Sequence, residues 1–98
     1  MMGIEPSERI LLGRWSREGE RVIADEVSAR IHSLIKSHLV ELGKDTSGWN
    51  TLYRDPDDGR YWELAYPKSE LQGGGPPQLK CLTTDEVMEK YAAHLNRP

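Results

Sequence analysis

The stretch "WNTLYRD-PDDG-RYWELAYP", Trp49 to Pro67, constrains the fold more than any other. Two runs rich in aromatic and aliphatic residues flank an aspartate–glycine pair. Aspartate before glycine favours the positive backbone angles of a hairpin turn, and the four-residue insert sets the loop a little longer than the tightest turn. The chain is therefore committed to at least one antiparallel strand pair. In the second strand Trp62, Leu64 and Tyr66 share one face and predict core. Tyr61, Glu63 and Ala65 take the other face, where a mid-strand carboxylate is expected to meet solvent, an arginine or a partner. Pro67 stops the strand.

Around this hairpin the chain spaces two amphipathic helices. Val27, Ile31, Leu34, Ile35, His38, Leu39 and Leu42 recur at steps of three and four, predicting a helix over about Asp25–Leu42 closed by Gly43. Asp25 and Glu26 suit its positive end. Thr83 to Glu86 has the reciprocal capping pattern and opens a second helix. Its apolar face is Val87, Met88, Tyr91, Ala92 and Leu95, and it ends near Asn96. Short strands are expected near Leu11–Trp15, at Arg21–Ala24 after a turn over Glu18–Glu20, and at "QLKCL". This order reads as α+β: a small, largely antiparallel β-sheet with two α-helices packed on one face. A chain of 98 residues fits a single domain, with its core about 10–96.

Bulk properties narrow the function classes. The formal net charge is -3, which argues against a nucleic-acid partner gripped by a general positive field. No apolar run approaches the ~20 residues of a membrane helix, so no membrane association is expected. The single Cys81 can form neither an internal disulfide nor a structural zinc site, and reads as a strand thiol in a reducing, cytoplasmic setting. The histidines, His32, His38 and His94, lack metal spacing and have no thiol or hydroxyl partner in sequence. His38, beside the helix stripe, reads as a part-buried, hydrogen-bonded imidazole. "DPDDG" lacks the remaining ligands of a calcium loop. A hydrolase or transferase would need Glu63 to converge with His38 or His94. No catalytic residue, metal ligand set or cofactor is expected.

Partner chemistry is better represented. From Asp55 to Glu70 there are five carboxylates, Asp55, Asp57, Asp58, Glu63 and Glu70, against Arg60 and Lys68. The triple glycine Gly73, Gly74, Gly75 precedes Pro76 and Pro77. Phosphate loops place glycines before a helix N-terminus, whereas proline supplies no N–H donor. The glycines serve either as an ordered connection, with the prolines fixing its exit, or as bare backbone that another surface can approach.

Trp15 or Trp49, the piece Trp62-Glu63…Pro67, and Gly73–Pro77 together resemble immunity protein family 27 of bacterial polymorphic toxin systems, over roughly Leu11–Leu82. The resemblance implies a non-enzymatic inhibitor that binds a cognate toxin domain and occludes it. Such toxins are often nucleases, whose basic sites an acidic patch would complement. Asp55, Asp57, Asp58, Tyr61, Glu63, Glu70 and Gly73–Gly75 are then the expected partner-binding residues. The alternative is a non-catalytic interaction or regulatory module unrelated to toxins.

Overall fold

The computed structural model describes residues 3–18, 21–24, 26–67 and 75–95. Along the chain these form β1 (Ile10–Leu12), β2 (Trp15–Glu18), β3 (Arg21–Ala24), α1 (Glu26–Ser37), β4 (Val40–Lys44), β5 (Thr51–Arg54), β6 (Tyr61–Ala65), β7 (Gln78–Leu82) and α2 (Thr84–Leu95). Strands β1-β7-β6-β5-β4 build a five-stranded sheet in which every pairing is antiparallel, and β2 and β3 pair as a separate ribbon. The α+β class and the antiparallel sheet are as the sequence predicts.

The helices differ from expectation in placement. They lie on opposite faces of the sheet. Trp62, Leu64, Tyr53, Leu79 and Leu11 pack with Ile31, Leu34 and Leu39 in and beside α1. Leu52 and Leu82 point the other way and pack with Val87 and Tyr91 of α2. The reason lies in the strands: β5 reads Leu52-Tyr53 and β6 reads Tyr61-Trp62, so adjacent residues on both faces are large. A sheet apolar on both faces needs a cover on each. Truncating Trp62, which is fully buried, would cost about 3–5 kcal/mol in transfer and cavity terms.

The first helix is shorter than its apolar stripe implies. The Leu34 carbonyl accepts from both His38 N and Leu39 N, at 2.9 and 2.8 Å, and so closes α1. The chain then turns into β4. Leu39 and Leu42 keep the helical step by coincidence: Leu39 joins the α1 cluster, whereas Leu42 leans on the α2 cluster. Gly43 is no helix stop and sits where the β4–β5 register shifts between Glu41 and Gly43.

At the N-terminus one expected strand becomes two. Gly13 separates β1 from β2, and its N–H donates to the Pro77 carbonyl at 2.9 Å. A Cβ at Gly13 would collide with Ser28 Oγ and lie 2.7 Å from Pro77 O. Gly75 is buried and left-handed, with φ 78°, and Pro77 is buried too, so this part of the glycine–proline run is an ordered entry into β7. Gly73, Gly74 and Glu70 lie outside the described residues, as do Asp25 and the turn residues Gly19–Glu20. The expected cap of α2 forms in both directions: Glu86 N donates to Thr83 Oγ1 at 3.2 Å, and Thr83 N to Glu86 Oε1 at 2.8 Å. Met88, expected in the core, is exposed.

Candidate functional site

The loop joining β5 to β6 runs from Asp55 to Arg60 and closes on itself. Asp55 N donates to the Arg60 carbonyl and Gly59 N to the Asp55 carbonyl, both at 2.8 Å. Gly59 has φ 78°, a conformation that side chains with a Cβ resist. The Asp55 side chain is 1% exposed and organises the turn from beneath. Its Oδ1 accepts from Asp57 N at 2.9 Å and lies 3.2 Å from His38 Nε2. Its Oδ2 is buried and has no hydrogen-bond partner among the described residues.

The neighbouring aspartates stand at the surface. The Asp57 side chain is 72% exposed, with Oδ2 3.3 Å from His38 Nε2. Asp58 accepts from Arg60 N at 3.0 Å and Arg60 Nε at 2.6 Å. Partial burial works against its ionisation, but these two bonds and the nearby guanidinium win and hold its carboxyl below the usual range. Arg60 also donates to the carbonyls of Glu8 at 2.7 Å and Glu5 at 3.1 Å, and its guanidinium carbon lies 5.0 Å from the Trp62 ring centroid. One arginine thus ties the N-terminal segment, the turn and the core together.

The register puts further acid at this end of the sheet. Tyr61, first after the loop, pairs with Leu82, immediately ahead of Thr83 and the α2 first-turn residues Asp85 and Glu86. Asp85 and Glu86 are exposed, so two acidic turns share one rim.

Glu63 departs from its expected place. It does not face solvent, because α2 covers that face. It is buried, with Oε2 2.7 Å from the Tyr91 hydroxyl, which donates to it, and 2.7 Å from Lys90 Nζ. Lys90 also lies 3.8 Å from Asp45. Tyr61, between these regions, is half-buried against the α2 cluster. A shallow depression of about 370 Å³ between α2 and the sheet is lined by Glu63, Lys80, Leu82, Glu86, Glu89 and Lys90. Glu63 partners Tyr91 and Lys90 while His38 partners the turn aspartates, so these two do not converge; the His94 side chain lies outside the described residues.

The arrangement that sequence spacing did not expose is His38 with Asp55 and Asp57. His38 follows α1 and the aspartates open the β5–β6 loop, yet one ligand atom from each lies within 4.8 Å of the others. Its signal in the sequence was slight: a histidine at the edge of an apolar stripe, with its partners 17 and 19 residues away.

No helix among the described residues is long and apolar enough to cross a membrane. The sequence model of the family described as Immunity protein 27 matches residues 17–83. No curated protein and no solved structure matches the chain.

Proposed function

The chain belongs to the immunity protein 27 family, and on that premise we propose that it binds a cognate toxin domain and neutralises it by occlusion, performing no reaction of its own. The family match over residues 17–83 carries this reading. That span includes α1, the entire β5–β6 hairpin and β7.

The partner-facing surface is the acidic rim. Asp57 and Asp58 are its exposed carboxylates in the turn, joined by Asp85 and Glu86 at the start of α2. Tyr61 lies beside them as a half-buried aromatic. Asp55 and Glu63 act from below: one fixes the turn, the other fastens α2 to β6. Gly75 holds the entry to β7. A toxin of the nuclease class suits this rim, because a site that grips phosphate presents lysine and arginine to which clustered carboxylates are complementary. The encounter should then be fast and salt-sensitive.

The test is co-expression with the toxin domain encoded beside this protein, and pull-down of that domain with its activity measured in the presence and absence of the chain. Rescue of growth together with a stoichiometric complex supports the reading. A toxin domain that stays fully active beside an excess of the folded protein refutes it.

A further inference from the structure

We propose that His38, Asp55 and Asp57 form a binding site for a divalent transition-metal ion of the zinc type, clamping the end of α1 to the β5–β6 turn. Three observations lead there. The first is geometry. His38 Nε2 is 3.2 Å from Asp55 Oδ1 and 3.3 Å from Asp57 Oδ2. A tetrahedral zinc with bonds of about 2.0 Å has donor-to-donor edges of about 3.3 Å. The third edge, between the carboxylates, falls within 4.8 Å and shortens by rotation of Asp57, the exposed member.

The second is an imbalance of donors. His38 Nε2 carries at most one hydrogen, which can point at only one of the two facing carboxylates at a time. Among the described residues, neither aspartate has an ion pair with lysine or arginine. The third is Asp55 itself. It is 1% exposed, and its Oδ2 is buried without a hydrogen-bond partner among the described residues. A carboxylate that far from water is costly unless a cation or a full set of donors meets it. A divalent ion supplies the charge for both aspartates at once.

Supports behind the ligands are in place. The Asp57 N–H donates to Asp55 Oδ1, and the Asp55 backbone is held at both N and O by Arg60 and Gly59. His38 is fixed by its N–H to the Leu34 carbonyl. Such outer contacts orient ligands before an ion arrives. One imidazole and two carboxylates match the borderline character of zinc, and three protein ligands leave a fourth position open to water on the Asp57 side.

The experiment uses the full chain alone, without any toxin. Zn²⁺ is titrated calorimetrically into protein stripped with chelator, and Co²⁺ serves as the spectroscopic substitute. We expect one Zn²⁺ per chain, a rise in Tm with zinc, and visible Co²⁺ absorption of tetrahedral intensity. His38→Gln should weaken binding at least about a hundredfold, at or beyond what outer-shell changes do. Asp57→Asn, at an exposed position, should weaken it without unfolding the protein, and His32→Ala should leave it intact. Absence of stoichiometric Zn²⁺ binding by the wild-type chain overturns the proposal. So does binding that survives both His38→Gln and Asp57→Asn.

Discussion

Replacing Tyr91 by Phe removes a buried polar contact between α2 and the sheet. The Tyr91 hydroxyl donates to Glu63 Oε2 at 2.7 Å, and both residues are buried. Phe keeps the ring and its packing on Val87, Leu52 and Leu82, so the change removes the hydroxyl and with it the bond to Glu63. A bond to an ionised acceptor contributes about 1.5–3 kcal/mol. Lys90 Nζ remains 2.7 Å from the same oxygen, so Glu63 is not left bare and the lower part of that range applies. A cost of about 1.5–2 kcal/mol lowers Tm by roughly 6–16 °C in a domain of this size. Urea unfolding at neutral pH, with a parallel thermal scan, measures both.

An alkaline limb gives an independent check. Burial first, and then the bond to and charge of Glu63, push the Tyr91 phenol well above its ordinary value. In the unfolded chain it titrates near 10. Above that pH only the unfolded state releases this proton, so its contribution is intact below about pH 10 and declines at up to about 1.4 kcal/mol per pH unit beyond. Tyr91→Phe removes that share of the decline; Tyr53, also raised, chiefly by burial, retains its own. A change below about 0.5 kcal/mol at neutral pH, or an unaltered alkaline limb, would refute the assignment of a buried phenol–carboxylate bond.

Other outcomes follow from the same geometry. Arg30 donates to both Glu8 oxygens at 2.7 Å, and this pairing brings the Glu8 carboxyl down to about 2. Its stabilisation is present above about pH 4.5 and is lost as pH falls toward 2. Because Arg30 is partly exposed, Glu8→Gln should cost only about 1 kcal/mol at pH 7 and flatten the acid limb in urea titrations. Gly13→Ala forces a methyl onto Ser28 Oγ and the Pro77 carbonyl, and should lose about 1–3 kcal/mol in chemical unfolding. Trp49, 74% exposed, should tolerate Ala within about 0.5 kcal/mol. Asp57→Asn combined with Asp85→Ala, both at exposed positions, should slow toxin association at low salt while Tm shifts by no more than a few degrees, and an unchanged rate constant would count against the acidic rim.

The parts of this fold legible in the sequence are those governed by local chemistry. The Asp-Gly hairpin, the reciprocal cap at Thr83 and Glu86, and the core face of Trp62 and Leu64 each depend on residues a few positions apart. What was hidden depends on partners distant along the chain. Glu63 looks like a surface carboxylate until α2, 28 residues on, brings Tyr91 over it. Leu42 completes a helical stripe on paper, yet the doubled acceptance at the Leu34 carbonyl ends the helix before it. The same holds for the site. The exposed turn acids were readable as such, whereas the buried state of Asp55 and its meeting with His38 required the end of α1 to be placed.

Helices on both sides of the sheet carry a geometric consequence. Strands β5 and β6 lie in the interior of the strand order, sandwiched above and below. Neither can be presented flat to a visitor without dismantling a layer. What remains open on the outside are the outermost strands, the turns and the outward faces of the two helices. Substitutions on that outer surface change its charge and shape while the sandwich behind it stays the same.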